Sequence, residues 1–174
     1  MLVKKIREIT MPLVANKMNK FLQFGILLCA SVLVSQSVYA DWKYVENTDP
    51  MTDENKSIAM TSHGRNESVI VRCDGNSDYD IILSVGEYLN DNARVPVQFR
   101  IDDKEPSEER SWSLSTDGTA VFAPLRYKKE LIEGLKNGSQ IVVQITDYRG
   151  SKPFSKFSLA GSSAAISQLT CLSN

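Results

Sequence analysis

Few of the 174 residues are of a type and spacing that could do chemistry. His63 is the one histidine, next to Gly64 in a turn-like stretch. To serve in a nucleophilic triad it would need a serine on a G-x-S-x-G elbow or a reactive cysteine, and neither is present. The carboxylate pairs Asp78/Asp80 and Asp102-Asp103 could in principle share acid and base work, but acids paired in turns are common. The run D-G-N-S-D-Y-D from Asp74 to Asp80 places oxygen ligands at every second position, like a calcium loop. Such a loop requires Gly at its sixth position and Glu at its twelfth, and Tyr79 and Val85 stand there instead. The run reads as a turn rich in residues that tolerate the left-handed region. Phosphate-cradling Gly-rich loops and H-E-x-x-H are absent. The expectation is a protein that is not an enzyme and takes no metal or cofactor.

The start of the chain sets the compartment. Lys17 and Lys20 precede the apolar run Phe21–Val34, and Val38-Tyr39-Ala40 puts small residues where a signal peptidase reads. Residues 1–40 are therefore expected to be a cleaved Sec-type signal, with Met1–Lys17 an over-extended start, and the mature protein to begin at Asp41 in the periplasm or outside the cell. The alternative is an uncleaved anchor, against which stand the short run and its interruption by Gln23 and Ser31. Cleavage would remove five Lys/Arg and one acid, leaving 15 basic against 20 acidic residues, a formal net charge of −5. That balance, without a long basic run, argues against a nucleic-acid partner. The remaining 134 residues suit one domain.

In an oxidising compartment the two mature cysteines, Cys73 and Cys171, read as a disulfide, the alternative being two buried free thiols. They lie 98 positions apart. In the chain-entropy account a loop of that length stabilises by roughly 4 to 5 kcal/mol.

Positioning falls to strands. Ser68–Cys73, Ile81–Val85, Val97–Ile101 and Gln140–Thr146 alternate apolar and polar residues with period two. Asp117-Gly118 between extended runs predicts a two-residue type I′ turn, which sets Leu114 opposite Val121 and Trp112 opposite Ala123 on one core face. Tyr127, Leu131 and Leu135 at four-residue spacing predict a helix ended by Asn137-Gly138. Ser162 or Ser163 is expected to cap a C-terminal helix carrying Ile166 and Leu169. The fold class is mainly β: a single antiparallel β-sandwich or partly open barrel over residues 41–174, with two short helices, one between strands and one C-terminal.

Arg100 and Arg110 near Asp102 suggest ion pairs flanking the hairpin, and the three are the candidate partner contacts, because Arg100 and Asp102 alternate away from Phe99 and Ile101. Trp112, Asp117, Gly118 and Pro124 form the structural motif. Arg100-Ile101-Asp102, together with W-S-x-S-x-D-G-x-x-x-F-A-P from Trp112 to Pro124, resembles the VasI/TagO family of type VI secretion-associated proteins over about Trp42–Cys171. The resemblance implies an exported accessory or assembly factor that binds other envelope or secretion-apparatus proteins. The alternative is a freestanding periplasmic binding or inhibitor module of phage or mobile-element origin.

Overall fold

The computed structural model describes residues 41–75, 77–90 and 92–172. The signal expected over residues 1–40 lies outside them. Among the described residues, nine strands are laid down in the order β1 (Lys43–Val45), β2 (Ile58–His63), β3 (Glu67–Cys73), β4 (Tyr79–Val85), β5 (Arg94–Ile101), β6 (Arg110–Leu114), β7 (Val121–Phe122), β8 (Gln140–Ile145) and β9 (Phe154–Ser158). Helix α1 (Leu125–Asn137) separates β7 from β8, α2 (Ser162–Ile166) follows β9, and a 3-10 turn spans Thr170–Leu172.

All nine strands join one antiparallel sheet in the spatial order β1-β2-β3-β4-β7-β6-β5-β8-β9, not closed into a barrel. The sheet curls far enough that its ends meet at two points. The indole N–H of Trp42 donates to the Ser158 carbonyl at 3.0 Å, and the His63 ring lies 4.7 Å from that of Phe157.

Alternation builds the inner face. Val69, Val71 and Cys73 of β3, Ile81 and Leu83 of β4, Val95 to Ile101 at every second position of β5, and Ile141, Val143 and Ile145 of β8 are all buried. Leu131 and Leu135 of α1 and Ala165 and Ile166 of α2 join the same apolar cluster. Pro96, which cannot donate to a ladder, sits where β8 has ended, and only its carbonyl is used, by Thr146 N–H at 2.9 Å. The disulfide Cys73–Cys171, with Cα atoms 5.8 Å apart, ties the end of β3 to the terminal 3-10 turn.

Two local expectations are corrected and a third, the end of α1, holds for a different reason. The Asp117-Gly118 hairpin keeps its register, Leu114 opposite Val121, but is not type I′. Gly118 alone is left-handed, with φ 70°, and the loop is a wider one in which Gly118 N–H bonds Ser115 O and Ser115 N–H bonds Ala120 O. Asp117 instead accepts from the Ser115 hydroxyl (2.5 Å) and the Thr119 N–H (3.2 Å), so its side chain does the work that positive φ would have done. Helix α1 does end at Asn137, but Gly138 has φ −84° and is needed for space: a Cβ there would stand 2.7 Å from Ile101 and 2.8 Å from the Gly134 carbonyl. At α2 neither serine caps the helix. Gly161 is the cap residue, and the Ser162 Oγ lies 2.5 Å from the Leu135 carbonyl and 2.6 Å from that of Leu159, so its one proton is donated to either, which ties α2 to α1.

Candidate functional site

The residues singled out by sequence end up in different places. Asp102 closes β5 in the left-handed region, φ 52°, where its carboxylate accepts from the N–H groups of Ser139 (2.8 Å) and Gln140 (2.9 Å). It joins the end of β5 to the start of β8. Arg110 pairs with Glu108, and Arg100 is exposed beside Lys104 and Glu105 over a shallow hollow against α1. The expected ion pairs of Arg100 and Arg110 with Asp102 do not form, because Asp102 is turned toward backbone donors. Glu108, and after it Tyr127, hold the Arg110 guanidinium above its ordinary pKa. Trp112 is buried against Phe99 and Tyr127, with ring centroids at 6.0 and 5.8 Å, and its indole N–H has no acceptor among the described residues. Pro124 is the residue before α1.

The calcium-like loop is occupied by the chain's own cations. Asp74 meets Lys56 at 2.9 Å, Asp80 meets Arg72 at 2.8 Å, and Lys128 reaches Asp78 and Asp80 at 3.4 and 3.6 Å. The Tyr79 N–H and then Lys128 hold the Asp78 carboxyl below the usual range. His63 is likewise engaged, with Nε2 2.9 Å from Glu67 and its ring against Phe157.

One arrangement with room for a partner is absent from the sequence reading: the seam where the curled sheet stays open. A groove of ≈520 Å³ runs there, lined by Asp41, Lys43, Thr61–His63, Lys156 and Ser158. Its backbone chemistry follows from register. Leu159 N–H bonds Ser139 O and Ile145 N–H bonds Pro153 O, so the odd-numbered residues of β9 face β8. Phe154, Lys156 and Ser158 must then turn their N–H and C=O groups toward the seam. Among the described residues, only the Trp42 indole takes one of these groups. Thr61–His63 of β2 extend past the last residue paired with β1, so the opposite wall is strand edge as well. The only advance signal was the shortness of the Trp42–Val45 run, too short to cover its neighbour.

Fold and groove together define a small disulfide-clipped β domain with an open strand seam. The chain belongs to the IalB family: the model for the invasion associated locus B (IalB) protein matches residues 55–170. Among solved structures it is similar to the crystal structure of invasion associated protein B from Bartonella henselae, 15% identical with a TM-score of 0.52, covering 78% of this chain and 95% of that one, a likeness of fold. No curated protein matches the chain. The family overturns the resemblance to VasI/TagO and to type VI secretion. Of the residues that carried that resemblance, Arg100–Asp102 and Trp112–Pro124, Asp102 is spent on a strand clip, Ser115 to Gly118 on a hairpin turn, and Ile101 and Trp112 on the core, local devices that any antiparallel sheet can use.

Proposed function

We propose that the chain is a freestanding, exported binding module of the cell envelope that holds an extended segment of another protein along its seam, and that it works by binding rather than by catalysis. The observation that carries this reading is the row of outward backbone groups on β9, facing the edge of β2 across the groove. An extended segment laid between them would add a strand to the sheet, with main-chain bonds for affinity and side chains for choice. Trp42 supports the reading, since its indole already uses Ser158 O as a bound strand would. Lys43 and Lys156 beside the groove favour an acidic segment, and Phe154, 60% exposed on the same strand, offers an apolar anchor. The family name, which records association with invasion, fits a role outside the inner membrane. Among the described residues, no helix is long and apolar enough to cross a membrane.

The test is photocrosslinking in living cells with a benzophenone side chain at position 154 and, for comparison, at exposed Met51. Position 154 should give a discrete adduct with an envelope protein, and Lys156→Pro, which deletes an outward N–H on an edge strand where proline is tolerated, should abolish it. The same adducts at both positions, or none at 154, would reject the reading.

A further inference from the structure

Beside the start of α1, three arginines from different elements line one cavity. Arg94 of β5, Arg110 of β6 and Arg126 of α1 line a cavity of ≈230 Å³ with Ser111 and Pro124. Like charges gathered from three elements repel one another unless anions intervene. The chain supplies one: Glu108, on Arg110. Arg94 donates to the Ser111 carbonyl at 2.7 Å and reaches the Ser113 hydroxyl at 3.5 Å, while Arg126 donates to the Tyr127 phenol at 2.9 Å and lies 4.7 Å over its ring. Two of the three therefore have no carboxylate partner among the described residues, although acids outnumber bases in the chain. Neutral acceptors hold each in place and leave N–H groups to spare, since a guanidinium carries five. The first turn of α1 adds to the same field: it contains no acid, and Pro124 offers no side-chain cap to its N–H groups.

The geometry points to a binding site for a phosphate monoester. A dianion with three terminal oxygens can be shared by arginine forks arriving from three directions, whereas a planar carboxylate is satisfied by one fork. The cavity, at ≈230 Å³, has room for a phosphate and the first atoms of whatever carries it. Leu125, 82% exposed beside Arg126, leaves room for a lipid-borne phosphate as well as a soluble sugar phosphate.

The experiment is titration of the mature protein with inorganic phosphate and glucose 6-phosphate by calorimetry, and flotation with phosphatidylcholine vesicles with and without phosphatidic acid. Saturable binding is expected, weakened at least tenfold in Arg94→Gln/Arg126→Gln and unchanged in Lys43→Gln/Lys156→Gln, which removes the same charge at the seam. Tighter binding of glucose 6-phosphate than of phosphatidic acid vesicles identifies a soluble source, and the reverse identifies a lipid. Absence of saturable binding to every probe, or equal weakening in both double variants, overturns the site. Should the arginine variant fail to fold, Nε–H resonances of the wild-type protein decide: glucose 6-phosphate must shift those of Arg94, Arg110 and Arg126, and shifts confined to other residues reject the proposal.

Discussion

Asp102 shows how a residue can be conspicuous in sequence for a reason other than contact. Alternation along β5 turned it away from the core, but its partners, Ser139 and Gln140, lie beyond a whole helix, and nothing in a strand pattern says which later strand will dock there. Asp102→Ala removes an acceptor from two N–H groups and puts alanine in the left-handed region, and is expected to cost about 1 to 2 kcal/mol. In a domain of this size that lowers the melting temperature by about 3 to 8 °C. Asp102→Asn keeps an acceptor oxygen and tolerates the conformation, so its melt should fall by less than half as much; equal losses would show that charge matters rather than the clip. Asp147 carries no signal in the sequence, because it sits at the end of a strand and looks like loop. It is buried, and burial pushes its carboxyl up. The Arg149 guanidinium, at 3.0 and 2.9 Å, and the N–H groups of Ser151 and Arg149 more than offset that, leaving it below the ordinary range. A carboxyl lowered on folding stabilises above its unfolded value of about 3.9, and that stability is lost as pH falls through the folded value. Asp147→Asn should therefore melt below wild type at pH 7, with the gap closing as the pH is taken well below 4; a gap of constant size would mean that the ionised form is not what Arg149 holds.

Strands were the legible elements, because period two follows from the pleat alone and a buried face marks it in β3, β4, β5 and β8. Turns and caps were less so. At Asp117 the residue type marks a turn, but the same side chain can act through its φ or through its carboxylate, and only the three-dimensional loop decides between them. Gly134 is a sharper case. In mid-helix, Gly→Ala ordinarily stabilises by up to about 1 kcal/mol. Here a Cβ would stand 2.8 Å from Cγ1 of buried Ile101, and overpacking a core costs roughly 1 to 3 kcal/mol. Gly134→Ala should thus lower the melting temperature, and a rise would show that Ile101 has somewhere to go.

At the level of the molecule, the sequence could not order the strands. β7 and β6 insert between β4 and β5, and the sheet stops short of closing, because the three residues of β1 cannot cover β2 and β9 together. That gap, and so the candidate site, was invisible in a list of strands, and motif spacing alone led to the wrong family. The compartment yields two further expectations. Protein recovered from the periplasm should begin at Asp41 by N-terminal sequencing, and a product retaining Phe21–Val34 would contradict cleavage. Cys171→Ser should lower stability by as much as about 4 to 5 kcal/mol, with reductant producing a comparable drop in the wild-type protein and none in the variant. Unequal drops would mean that the serine does more than open the bond. The position of that bond has a last consequence, for damage rather than stability. Because Cys73 and Cys171 enclose β4 to β9 and both helices, a protease that cuts once in the charged Asp103–Glu109 loop leaves both fragments covalently joined, each still seated in the sheet. A single cleavage would then be a scar that the folded protein carries, visible only when the fragments are separated under reducing conditions.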